Sequence, residues 1–242
     1  LKYSLVLIFF TGLLSDKNIL PSPRIRIILQ TLVLFFLVFY SELQIENLEN
    51  FYLNNFLKNN LINLFFTVFC FAILINGSNF IDGLNGLLSG YFLLALLSII
   101  YVCYINEEIS FIYKHELLII FSSLLIFFLF NILGKVYLGD GGSYLIAIFV
   151  GFYLIEFVNS NSYIYISPYY VASILWYPSF ENLFSISRRI LKKNNVSSPD
   201  NKHLHQSIFL FIKSKRLFDN KYLNSASSII ILIFNIPTFI LS

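Results

Sequence analysis

Two apolar runs, LINLFFTVFCFAILI (61–75) and LLSGYFLLALLSIIYVCYI (87–105), are separated only by the short polar stretch NGSNFIDGLNG. An α-helix rises about 1.5 Å per residue, so roughly 20 apolar residues cross about 30 Å of hydrocarbon. Barrel strands alternate apolar and polar residues over about ten positions, and these runs stay apolar for longer than that. Helices are therefore required. The whole chain agrees: 57% of its 242 residues are hydrophobic, 12% are charged, and the mean hydropathy is +0.76. Soluble domains carry about 25% charged residues, so a water-soluble globular fold is excluded.

Apolar runs bounded by polar clusters predict helices near 1–14, 25–40, 61–78, 86–105, 116–133, 143–158, 163–181 and 223–241. The expected fold is an all-α integral membrane protein, a polytopic bundle of about eight transmembrane helices. It is read as one catalytic domain over 1–242, with a long cytoplasmic loop at 182–222. The chain has no methionine, even at position 1, and is read as a fragment whose upstream helices are missing. No charged leader precedes 1–14, so this run is not read as a secretory signal. Cys70 and Cys103 offer neither a disulfide framework nor a metal–thiolate spacing.

Alternating the helices sorts the loops into two sets. One set holds 12–24, 79–85, 134–142 and 182–222, and it carries 13 of the 16 Lys and Arg residues; Lys2, Lys58 and Lys114 fall in the other. Cytoplasmic loops carry the positive excess, which assigns the first set to the cytoplasm. All five aspartates, Asp16, Asp82, Asp140, Asp200 and Asp219, lie on that same side. Asp16, Asp82 and Asp140 each sit near glycine at a helix end. Alone, each has a plain structural reading: Asp16 ends a helix, Asp82 makes a turn, Asp140 caps the following helix. Gathered on one basic face, they point to a divalent cation and phosphates. Mg²⁺ takes hard oxygen ligands, few of them from protein, and shares the rest with phosphate and water.

The 182–222 connection contains a basic run, Ser-Pro-Asp, His203 and His205, and the amphipathic stretch SIFLFIKSKRLF. That stretch suits a membrane surface, apolar side in and lysines toward headgroups. His203 and His205 are two apart and are not expected to share a helix face. Phosphate contact fits them better than zinc.

In this order along the chain, GLLSDKNILPSPRIR, NGSNFIDGLNGLLSG, VYLGDGGSYLIAIFVG and ENLFSISRR with SPDNKHLHQ resemble the motifs of the polyprenyl-phosphate N-acetylhexosamine-1-phosphate transferases. HLHQ is closer to the undecaprenyl-phosphate GlcNAc-1-phosphate transferase branch than to the phospho-MurNAc-pentapeptide translocase branch. The resemblance implies transfer of a sugar 1-phosphate from a UDP-N-acetylhexosamine to undecaprenyl phosphate, with release of UMP. It implies Mg²⁺ as cofactor, with Mn²⁺ as a substitute, and partners in the lipid bilayer rather than nucleic acid. A homodimer is compatible with it. The implied location is the bacterial plasma membrane, with the active site on its cytoplasmic face.

Carried over residue by residue, the resemblance makes Asp16, Asp82 and Asp140 catalytic. Asp140 and Asn79 become the metal ligands, and Asn85 the uracil contact. Arg24 matches a pyrophosphate contact, while Arg188, Arg189, His203 and His205 bind the donor's pyrophosphate or sugar. The first motif departs from the family, where two adjacent acids are usual and Ser15–Asp16 stands here. A serine is no carboxylate base, so a mechanism needing both acids fails. A phosphomonoester's second pKa is about 6, which leaves little for a base to do. The competing readings are a cation-coupled transporter, opposed by the lack of an internal repeat, and a catalytically impaired member of the same family.

Overall fold

The computed structural model describes residues 1–106, 111–160, 166–191 and 203–241. The chain divides into two compact units. The first comprises Leu1–Asn79 and Leu138–Pro199, the second Phe80–Tyr137 and Asp200–Ser242.

The first unit begins with α1 (Lys2–Asp16) and α2 (Pro23–Ser41), followed by the short α3 (Phe51–Leu57) and by α4 (Asn60–Ile81), whose last two residues belong to the second unit. Pro23 starts α2 where its missing N–H costs nothing, behind the extended Ser22. Asn50 caps α3 by accepting from the backbone amides of Tyr52 and Leu53. The second unit holds α5 (Leu87–Ile105) and α6 (Phe111–Ile132). The chain then returns to the first unit with α7 (Gly139–Ser160), α8 (Pro168–Ile174) and α9 (Trp176–Leu191), and ends in the second with α10 (Leu204–Ser214) and α11 (Leu223–Leu241). Helix is the only regular element among the described residues.

Among the described residues, six helical stretches are long and apolar enough to cross a membrane: Pro23–Ser41, Asn60–Ile81, Leu87–Ile105, His115–Ile132, Gly139–Asn159 and Leu223–Leu241. Large apolar side chains such as Phe36, Phe39, Ile126, Phe130 and Phe234 are exposed on these helices, as lipid-facing residues are. The molecule is an all-α polytopic membrane protein, as expected. Six such helices stand beside the approximate expectation of eight, and the 15 residues of α1 present here extend about 22 Å.

The expected single helix 163–181 is instead two, α8 and α9, meeting at Leu175. Pro178 has no N–H to give to the Ile174 carbonyl, so the helical ladder breaks there. The break has a packing partner. A Cβ on Gly77 of α4 would run into the Pro178 carbonyl, and Asn182 donates to the Ile73 carbonyl at 3.0 Å. The expected loop at 182–222 is also corrected. Its first ten residues continue α9, which places Arg188 and Arg189 on a helix's last turn, and residues 204–214 form α10. Asp200 and the Ser-Pro-Asp step lie outside the described residues.

Candidate active site

The polar centre of the first unit is built where α1 and α7 meet. Gly12 and Gly141 make this contact, and a Cβ on Gly12 would overlap the Gly141 backbone. Small residues allow such close approach between membrane helices. The contact carries the end of α1 to the start of α7. There the Asp16 carboxylate accepts from the backbone amides of Asp140 (3.0 Å) and Gly141 (3.4 Å). These are among the amides a helix start leaves without internal partners, and a carboxylate suits the positive end of the helix dipole. Gly139 makes the junction possible, with φ +63° and a position where a Cβ would stand 2.6 Å from Asp16 Oδ2.

Asp140 is the hub. Its Oδ2 accepts from Ser15 Oγ (2.6 Å), Arg26 Nη1 (2.9 Å) and the Tyr144 hydroxyl (3.3 Å), and its Oδ1 from Asn79 Nδ2 (2.6 Å). Arg26 Nη1 also donates to Ser15 Oγ at 2.6 Å. Asn79 reaches Ser143 Oγ at 3.4 Å, and that hydroxyl donates back to the Asp140 carbonyl. Four helices thus converge on one half-buried carboxylate.

Two expectations meet here, and a further residue joins them. Asn79 and Asp140, 61 residues apart, do come together. The basic partner is Arg26 rather than Arg24. Residues two apart on a helix point about 200° away from one another, and Arg24 is exposed on the first turn of α2. The motif PSPRIR displays both arginines but not which side of α2 faces α7. Ser15, read as a lost acid, is a hydrogen-bond bridge between Arg26 and Asp140. Tyr144 was not foreseen, although its place one helical turn after Asp140 is a readable signal.

Asp82 follows the last residue of α4 and lies in the turn 82–86. Within the second unit this turn is held by asparagine side chains. Asn224 accepts from the Asn85 amide at 2.6 Å. Asn131 accepts from the Gly86 amide (2.8 Å) and Ser89 Oγ (3.0 Å), and donates to the Val136 carbonyl at 2.7 Å. Neither asparagine stood out in the sequence, because each lies in or beside an apolar run.

The two histidines converge on the same turn. His203 precedes α10, and its amide donates to Gln206 Oε1 at 3.4 Å. Its ring stacks on that of His205, with centroids 5.6 Å apart and planes at 6°, and lies 4.9 Å from the Phe80 ring. Sharing no helix face, the two rings still meet, because His203 sits outside the helix. A Cβ on Gly83 would stand 2.5 Å from His205 Nε2, so the glycine leaves room for that ring. The DGLNG turn and the HLHQ segment form one surface. In the first unit, Arg188 lies over the Phe184 ring at 5.0 Å, and Arg189 follows it on the last turn of α9.

The fit to a metal follows from the donors. Asp140 and Asn79 offer hard oxygens, with the Ser143 hydroxyl beside them. No group of three or more His, Cys, Asp or Glu gathers among the described residues, so a caged zinc is not what they would make. An ion taking one or two protein oxygens, with water and phosphate supplying the rest, fits them, and Mg²⁺ is such an ion. The first unit also has a partly open, mostly apolar hollow of about 440 Å³, lined by Phe66 and Leu74 of α4, Gly151 and Ile155 of α7, and Leu175 and Leu183. Gly151 lies about 16 Å along α7 from Asp140, so this hollow is separate from the polar centre.

Comparison with known proteins gives a family model, described as glycosyl transferase family 4, that matches residues 1–158. A probable undecaprenyl-phosphate N-acetylglucosaminyl 1-phosphate transferase of Bacillus subtilis is 30% identical over 155 residues, 62% of this chain and 42% of the relative. An undecaprenyl-phosphate alpha-N-acetylglucosaminyl 1-phosphate transferase of Thermotoga maritima is 31% identical over 141 residues, 58% of this chain and 41% of its own length. The Escherichia coli K12 protein of the same description is 28% identical over 204 residues, 82% of this chain and 54% of its own length. The chain spans about half the length of these relatives.

Proposed function

Because this chain belongs to glycosyl transferase family 4, we propose that it transfers an N-acetylhexosamine 1-phosphate from a UDP-sugar to undecaprenyl phosphate, releasing UMP. The observation that carries this reading is the carboxylate of Asp140, gathered with Asn79, Ser15 and Arg26 at the start of α7. We place the site on the cytoplasmic face of a bacterial plasma membrane, where 13 of 16 cationic side chains are expected to lie and attract an anionic nucleotide. The product is the first lipid-linked intermediate of a cell-wall or surface polysaccharide.

Both reactants are anions, so the reaction is mostly a matter of positioning and of neutralising charge. Asp140 and Asn79 would hold Mg²⁺, which supplies charge neutralisation between the phosphates when bound. Arg26 brings a permanent positive charge to the same place. Asp16, with both oxygens engaged by backbone amides, positions Asp140 by fixing the start of α7. In the second unit, Asn85 presents an amide that both donates to and accepts from a pyrimidine edge. Asp82 orients the acceptor phosphate or a water, and His203 and His205 contact the donor's pyrophosphate or sugar. Arg188 and Arg189 add cationic contacts, and Arg24 serves as an outer attraction for the nucleotide.

The test is release of UMP by the detergent-solubilised protein given Mg²⁺, undecaprenyl phosphate and radiolabelled UDP-sugars. Activity that falls steeply in Asp140→Ala and is reduced in Asp82→Asn supports the reading. Wild-type turnover in both variants overturns it.

A further inference from the structure

Arg26 does something the proposed chemistry does not by itself require. Its Nη1 is on Asp140 Oδ2 at 2.9 Å and on Ser15 Oγ at 2.6 Å, and that hydroxyl donates to the same Oδ2. Ser15 is buried, and the side chains of Arg26 and Asp140 are 27% and 21% exposed. The ion pair is therefore only partly hydrated. The guanidinium occupies Oδ2, one of the two oxygens the carboxylate can offer a cation, and adds repulsion against any second positive charge. Meanwhile Arg26 Nε is buried and has no hydrogen-bond partner. A guanidinium has five donors in a rigid fork that suits carboxylate or phosphate. On Asp140 this fork is only partly used, so a two-oxygen anion offers it a better match.

We propose that Arg26 is a latch on Asp140. It holds the carboxylate against use by a divalent cation until a diphosphate draws the guanidinium away. The exchange rests on the reading of Asp140 as the metal ligand. Ser15 makes the latch possible, because its hydroxyl accepts from Arg26 and donates to Asp140 at once. An acid at this position would only accept, and would compete with Asp140 for the arginine. The latch makes cation and diphosphate bind as a linked pair, since each is opposed by the same Arg26–Asp140 contact.

Binding of each ligand alone tests this. Mn²⁺ binding to the purified protein in detergent is followed by electron paramagnetic resonance without nucleotide. UDP binding is followed by calorimetry with chelator present. In Arg26→Gln the affinity for Mn²⁺ rises on the order of tenfold, and the affinity for UDP falls on the order of tenfold. These opposite signs are the signature of a latch. Ser15→Ala, a smaller change that keeps the charge, raises Mn²⁺ affinity by about threefold with UDP affinity unchanged. If Arg26→Gln weakens both ligands or moves neither, and Ser15→Ala leaves Mn²⁺ binding unchanged, Arg26 is a structural brace and the latch is overturned. If the wild-type protein binds Mn²⁺ and Asp140→Ala binds it equally well, the metal assignment has failed, and the latch with it.

Discussion

The polar centres of the two units are built in opposite ways. In the first unit, one carboxylate is surrounded by side chains from α1, α2, α4 and α7, including a full positive charge. In the second, a turn is pinned by neutral amides from Asn131 and Asn224, and the His205 ring, stacked on that of His203, lies against its Gly83. The difference separates two tasks. A buried charge must be compensated from several directions, which concentrates electrostatic strength at one point. A backbone turn held by amides offers shape and neutral donors, which suits the base and sugar contacts proposed for it.

The largest expected effect removes the charge at the hub. Asp140→Ala lowers UMP release by about 10²–10³-fold, whereas Asn85→Ala in the second unit raises the KM for UDP-sugar about tenfold with kcat nearly kept. Initial rates over a range of donor concentration separate the two. Equal kcat losses in both would erase the distinction between charge work and recognition.

Packing comes next. Gly12→Val drives a side chain into the Gly141 backbone, which cannot yield, and lowers stability by about 2–3 kcal/mol. Gly83→Ala meets only the edge of the His205 ring, which can shift, so its cost is about 1 kcal/mol or less. Thermal melting in detergent should show the first as a large drop and the second as a small one. The reverse order would mean that the histidine surface is the stiffer of the two.

A third measurement addresses the amides. Asn131→Ala removes partners of the Gly86 amide, Ser89 hydroxyl and Val136 carbonyl, costing about 1–3 kcal/mol for the buried groups left behind. Hydrogen exchange of residues 83–90 should accelerate while that of 139–145 stays unchanged. The smallest effect is reserved for Arg24→Gln. This exposed side chain contributes only a screened attraction, so kcat/KM changes by about twofold or less at 0.15 M salt. A loss as large as that of Arg26→Gln would show that both arginines face the same ligand.

Particular residues show how far the chain could be read before its fold was known. The spans at 61–78, 86–105 and 223–241 nearly coincide with α4, α5 and α11, because burial in hydrocarbon acts on composition along the chain. Asn79 and Asp140 were expected as partners and meet. Arg26 and Ser15 were not expected on Asp140. Their roles depend on how far α1 and α7 approach and on the rotation of α2, and neither leaves a mark in local sequence. The break at Leu175 was missed for a related reason: Pro178 was present in the apolar run, but its effect depends on whether the helix starts before or after it.

The sequence alone determined that this chain is helical, crosses a membrane several times and carries short acids beside glycines at helix ends. These follow from hydrophobicity and backbone freedom, which act locally. Only the tertiary structure decided which arginine holds Asp140, that Ser15 bridges them, and that His203 stacks on His205 while His205 lies against Gly83. Such contacts are set by helix rotation and close approach, where a shift of one residue turns a side chain by about 100°.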